Sequence, residues 1–266
     1  MKLVRREVED LAEERGLRTD MLESMLRLYD VLNSFASDDV IAPRMALKGG
    51  TALSAFHGKL PRRSFDIDIN YVGELDYRRH FDDRFVSILL SKGYRLGATP
   101  PGGSAKWTFR YQSLFDSESS LFIDVNYRER FPLFGVSRLS SAPLGECRAR
   151  DVPVLDVHEV AGSKLKALVV RQRSRDLFDA DVIIDMHGLD WEKVRLANVV
   201  HGAWQVRHDW RDFSSAFICG DEREGEEAWR NAFQRVLCGI DRTGAVQVCP
   251  SRNKEASHWD ANVAVH

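Results

Sequence analysis

The stretch Phe65-Asp-Ile-Asp-Ile69 constrains this chain most. Side chains on a strand alternate between its two faces, so Asp66 and Asp68 point one way while Phe65, Ile67 and Ile69 point the other. Such a strand needs a core on one side and puts two carboxylates together on the other. Neighbouring carboxylates repel each other unless a cation lies between them. Hard divalent ions are held in this way, by one or two carboxylates together with substrate phosphates. Upstream, Leu47-Lys-Gly-Gly-Thr-Ala-Leu53 sets two adjacent glycines ahead of an apolar helix that Gly58 ends. A glycine turn into a helix leaves backbone N–H groups aimed at an anion, with the helix dipole behind them. A phosphate cradle facing an acid pair points to phosphoryl or nucleotidyl transfer.

Around this centre the chain reads as mixed helix and strand. Residues 7–35 carry apolar positions at helical spacing, with a break near Gly16 and a second start at Thr19-Asp20. A helix is expected over residues 77–90, and strands over 93–97 and 107–111 with Pro100-Pro-Gly-Gly103 turning between them. Leu121-Phe-Ile-Asp-Val-Asn-Tyr127 reads as an apolar strand with one acid inside it. Asp124 needs a reason, because strands disfavour Asp and burying a lone carboxylate is costly. Two readings stand: a third metal ligand, or an aspartate on an edge strand facing water. The basic loop Lys59-Leu-Pro-Arg-Arg63 leads into the acid strand, where Ser64 is either a phosphate contact or a strand-entry residue.

A boundary is expected at the Pro-, Gly- and Ser-containing stretch 132–157, giving domains 1–155 and 156–266. The second opens with a helix from His158, whose stripe of Ala161, Leu165, Leu168 and Val169 has Lys164 beside it. In one straight helix Lys164 and Asp176 would lie about 18 Å apart at roughly 1.5 Å per residue. A turn is therefore predicted at residues 171–174, with Ser174 as N-cap of the next helix. Beyond residue 189, helices are expected over 191–210 and 228–237. His201 and His208 share a helix face too far apart for a metal pair.

Gly49-Gly50-Thr51 followed by Ser64-Phe-Asp66-Ile-Asp68 resembles the signature of the polymerase-β-like nucleotidyltransferases. The fuller pattern, together with Ser163-Lys164-Leu-Lys-Ala-Leu168 and Arg175-Asp-Leu-Phe-Asp179, resembles the AbiEii/AbiGii nucleotidyltransferase toxins. Ser163 stands where that branch commonly has Glu. The resemblance implies an α+β fold, a mixed sheet flanked by helices with a mainly helical C-terminal region completing the active site. It implies that Asp66, Asp68 and Asp124 hold two Mg²⁺ ions, and that Lys48, Gly49, Gly50, Thr51, Ser64 and Lys164 bind the nucleotide. Asp66, Asp68, Asp124, Lys164 and Asp176 become the expected catalytic set, with Lys164 a point charge on phosphates and Asp176 orienting it or the acceptor. The implied reaction moves NMP from an NTP to an acceptor hydroxyl, the 3′ end of tRNA in relatives, which blocks translation in toxin–antitoxin or abortive phage infection systems. A cognate antitoxin is the implied partner. The alternatives are transfer to a small molecule such as an antibiotic, or a nucleotide-binding regulator without turnover.

Composition narrows the setting. Lys and Arg number 38 against 40 acids, a net charge of −2, so nucleic acid must be met by local patches rather than a basic coat. Four scattered cysteines without a Cys-x-x-Cys pair suggest neither a zinc knuckle nor a disulfide framework. No secretory signal or membrane-spanning run is read, so a cytoplasmic protein is expected.

Overall fold

A computed structural model describes residues 3–58, 66–97, 106–171, 173–203, 247–250 and 261–264. The chain divides into two compact units, Met1–Asp156 and Val157–His266.

In the first unit α1 (Arg5–Arg15) stops at Gly16, whose φ of 61° lets its N–H turn back to the carbonyls of Ala12 and Glu13. After α2 (Thr19–Ala36), Asp38 holds the turn, its Oδ1 accepting the N–H groups of Val40 and Ile41 at 3.0 Å each. The chain then enters β1 (Met45–Lys48), the short α3 (Gly49–Thr51) and a π-helical stretch Ala52–His57. β2 (Asp66–Tyr71) follows, then α4 (Arg78–Ser91), β3 (Arg95–Leu96), β4 (Lys106–Tyr111), β5 (Ser119–Asn126), β6 (Val136–Leu139) and β7 (Val152–Leu155). These strands form one mixed sheet in the order β3-β4-β5-β2-β1-β7-β6. The pairs β2/β5 and β1/β7 are parallel and the others antiparallel. The fold is α+β, as the resemblance implies.

One face of the sheet is dry. Ile67, Ile69 and Tyr71 of β2, Ile123 and Val125 of β5, and Phe109 of β4 are buried together with Phe81, Phe85 and Leu89 of α4. Edge-to-face contacts join Phe85 to Trp107, Phe85 to Phe109 and Tyr71 to Phe81, with centroids 5.1, 6.2 and 5.2 Å apart. Each such side chain contributes roughly 1.5–3 kcal/mol by leaving water. That burial fixes the register, because a slip of one residue would turn every apolar side chain of β2 outward. The residues between them must therefore face the other way.

The second unit contains α5 (Val157–Arg171), α6 (Ser174–Ile184) and α7 (Trp191–Ala203), with a strand pair β8 (Gln247–Pro250) and β9 (Ala261–Ala264). The expected break lies between Arg171 and Ser174. The N-cap position belongs to Arg173 rather than Ser174, which is already the first helical residue. Gly162 lets α5 and α7 meet closely: a Cβ there would lie 2.6 Å from that of Ala197. His201 is buried on α7, 3.8 Å from Glu159 of α5. The expected histidine partner on its face, His208, and the expected helix over 228–237 lie outside the described residues. Among the described residues no helix is long and apolar enough to cross a membrane.

Candidate active site

The face of the central strands opposite the dry one carries the candidate site residues. Parallel pairing of β2 with β5 sets Asp68 opposite Asp124 and Asp66 opposite Phe122. Antiparallel pairing of β1 with β2 sets Lys48 opposite Asp68, and that of β4 with β5 sets Lys106 opposite Asp124. At one level of the sheet the order across four strands is thus Lys48, Asp68, Asp124, Lys106: two carboxylates between two ammonium groups. Adjacent strands lie about 4.8 Å apart, whereas Asp66 and Asp68 are separated by two residues, about 6.6 Å along one strand. The tighter acid pair is the cross-strand one, Asp68 and Asp124. β5 lies between β4 and β2, so Asp124 is not an edge-strand residue. It is exposed on an interior strand.

Gly49 is shaped around Asp68. Its φ is +74°, and a Cβ on it would fall 2.0 Å from Asp68 Oδ2. The carboxylate thus occupies the space that any side chain at position 49 would need. Next to it Thr51, 2% exposed, donates its hydroxyl to the backbone carbonyl of Asp66 at 2.7 Å. That hydroxyl proton ties the glycine turn to the acid strand and is not offered to a phosphate. The π-helical turn beyond ends where Gly58 N–H reaches Leu53 O at 2.7 Å. Single π turns within helices frequently accompany functional sites.

Lys48 Nζ lies 3.1 Å from Glu129 Oε2, both side chains about one-fifth exposed. Asn126 Oδ1 accepts the N–H groups of Arg128 and Glu129 at 2.8 and 3.3 Å, which orders the turn that carries this glutamate. Below Asp68, Asn70 is fully buried, and neither polar atom of its side chain has a hydrogen-bond partner among the described residues. Ser64, with the basic loop from Lys59 to Arg63, lies outside the described residues.

The donor set suits a hard divalent cation: three carboxylates on one face of two adjacent strands. Among the described residues no hydrogen bond or ion pair engages the side chains of Asp66 and Asp124. The three share a face without closing around a point, and no preformed cage of three His, Cys, Asp or Glu groups exists among the described residues.

A family model for the nucleotidyl transferase AbiEii toxins of type IV toxin–antitoxin systems matches residues 30–247. The chain belongs to this family. Among solved structures it is similar to MenT4, a nucleotidyltransferase toxin of Mycobacterium tuberculosis H37Rv. The identity is 19%, the TM-score 0.64, and the match covers 90% of each chain. At that identity the likeness speaks for the fold. No curated protein matches in sequence.

In this AbiEii-family chain the motif residues of the second unit pair differently from the sequence expectation. Lys164, 8% exposed, meets Asp179 Oδ2 at 3.0 Å across α5 and α6. Asp176 is held instead by Arg171 at 3.3 Å. The carboxylate that positions Lys164 is therefore Asp179, not Asp176. Asp176 lies in the first turn of α6, and Asp179, about one turn further on, faces α5. Sequence reasoning also passed over Lys106, Phe122 and Glu129. Phe122 was within reach, since alternation along β5 puts it on the face of Asp124. Lys106 and Glu129 become site residues only through strand pairing and a turn that local pattern does not encode.

Proposed function

We propose that this chain transfers a nucleotidyl group from an NTP to a hydroxyl at the 3′ end of tRNA, which prevents aminoacylation and stops translation. The observation that carries the reading is the row Lys48, Asp68, Asp124, Lys106, with Asp66 beside it and Gly49 closed onto Asp68. Asp66, Asp68 and Asp124 would hold two Mg²⁺ ions, whose chemistry when bound is to neutralise charge on attacking and leaving oxygens. Gly49, Gly50 and the backbone of Thr51 border the acids and would receive the triphosphate, with Ser64 contributing its hydroxyl. Lys48 would supply positive charge to phosphate oxygens, the task that the family resemblance also implies for Lys164. Asp179, 3.0 Å from Lys164 Nζ, would hold that side chain in place, a positioning role. The acceptor oxygen bonds to the α-phosphorus as the bond from that phosphorus to the bridging oxygen breaks. Pyrophosphate leaves, and the hydroxyl proton is released to solvent. Little covalent work falls to the protein, and positioning and charge supply the rate. A cognate antitoxin and a cytoplasmic setting belong to the same reading.

The test offers each of the four NTPs, labelled at the α-phosphate, with Mg²⁺ and total tRNA, to the wild type and to Asp66→Ala. Label on tRNA with the wild type alone is the expected result and identifies the nucleotide. Equal labelling by Asp66→Ala overturns the site. Label that appears only on a small acceptor such as an aminoglycoside overturns the tRNA assignment.

A further inference from the structure

The outer wing of the sheet carries features that the transfer step does not use. On the face shared with the aspartates, β5 presents Phe122 and Ser120, while β4 presents Lys106, Thr108 and Arg110, as the observed register and side-chain alternation require. Phe122 is 36% exposed on an interior strand whose opposite face is dry. Lys106 Nζ lies 5.5 Å from the centre of its ring. Further out, Arg95 and Arg110 both pair with Glu118, Arg110 at 3.2 Å, so two cations share one carboxylate. The wing therefore offers an aromatic face, a cation over it, and a second patch of positive charge beyond. All of this begins one side-chain step from Asp124.

We propose that this wing receives the single-stranded 3′ end of the RNA acceptor, with its terminal base on Phe122 and its backbone phosphates at Lys106 and the Arg95–Arg110 pair. The proposal rests on the reading of RNA as acceptor and adds the surface that presents it. Every base has a π-face that stacks on an aromatic ring, and phosphates seek cations, a pairing typical of single-strand binding. A base inside a duplex has no free face to offer, so the surface selects an unpaired end. Phe122 is the cross-strand neighbour of Asp66. A nucleotide stacked there keeps its ribose hydroxyls beside the carboxylates. The chain as a whole carries a net charge of −2, so a local cationic strip is the form that attraction to a polyanion must take.

The experiment compares wild type, Phe122→Leu, Phe122→Tyr and Lys106→Gln by two readouts. Anisotropy of a short, fluorescein-labelled single-stranded RNA with a free 3′ hydroxyl measures binding without turnover, at several salt concentrations. Transfer kinetics separate KM for tRNA from KM for NTP. Phe122→Leu keeps apolar bulk and removes the π-face. It should weaken RNA binding and raise KM for tRNA by about tenfold, with KM for NTP unchanged, and Phe122→Tyr should restore both. Lys106→Gln should reduce the slope of log K against log salt by about 0.7. RNA binding by the wild type that Phe122→Leu loses supports the surface even if tRNA is not labelled, an outcome that would overturn the transfer reading alone. Labelling of tRNA by both proteins with the same KM overturns the surface and leaves the transfer reading in place. Absence of RNA binding by the wild type also overturns the surface.

Discussion

Among the described glycines, Gly49 has the closest neighbour where a Cβ would stand. Its positive φ disfavours any L side chain, and the space a Cβ would fill belongs to the Asp68 carboxylate. Gly49→Ala must therefore push Asp68 aside or open the turn. A displacement of about 1 Å in a reacting constellation costs on the order of 10²-fold in rate, so the variant should lose about that much transfer activity while the protein remains folded. Circular dichroism and the label-transfer assay together check this; activity within twofold of wild type would show that Asp68 need not sit where Gly49 puts it. Thr51 is constrained as well. Thr51→Val keeps the shape but leaves the Asp66 carbonyl without its buried donor, which costs about 1–3 kcal/mol. Thermal unfolding should show that loss, and Thr51→Ser should recover most of it. Gly49 and Gly50 were legible in the sequence as a turn into a helix. That Thr51 serves the acid strand rather than a phosphate was not, because a hydroxyl's partner is set by tertiary placement.

At the scale of elements, the apolar alternation of β2 and β5 fixed in advance which residues face the core and which face the site. Asp66 and Asp68 were readable as sharing one face for that reason, whereas Asp124 stood open between two readings until the pairing of β5 with β2 set it opposite Asp68. Which residues stand beside them was not readable, because neighbours across a sheet depend on strand order and register. Lys106 meets Asp124 only because β4 and β5 form a hairpin of one particular register. The same holds in the helices: the turn between α5 and α6 was foreseen, but its geometry decides which acid meets Lys164, and Asp179 rather than Asp176 does. The turn between α2 and β1 carries a pH-dependent contribution. Burial acts to raise the Asp38 carboxyl, but the N–H of Ile41, the Arg84 guanidinium and the N–H of Val40 outweigh it and hold the group below the usual carboxylate range. A depressed pKa stabilises the fold above the unfolded value, and that stability is lost as pH falls through the folded one. Wild-type Tm should drop on acidification below roughly pH 4, and Asp38→Asn should start lower at neutral pH and show a shallower fall. Parallel Tm–pH curves for the two proteins would remove Asp38 from the acid response.

For the whole molecule, membership of a toxin family raises the question of whether toxicity passes through this face of the sheet. Asp124 separates the possibilities, because the fold has little need of its carboxylate while a cation-binding site requires it. Asp124 is exposed, with the like charge of Asp68 directly across on one side, which destabilises a sheet, and the opposite charge of Lys106 on the other, which offsets it. A folded chain has no need of that repulsion, whereas a cation-binding site does. Asp124→Asn should leave Tm nearly unchanged, since the amide matches the carboxylate in shape and removes the repulsion from Asp68 together with the attraction to Lys106. If growth arrest requires transfer, cells induced to express Asp124→Asn should keep dividing while cells expressing the wild type stop, with equal soluble protein in both. Arrest by both proteins at the same level would show that toxicity does not depend on these carboxylates. A variant as stable as the wild type yet harmless would instead mark Asp124 as a residue kept for chemistry rather than for the fold.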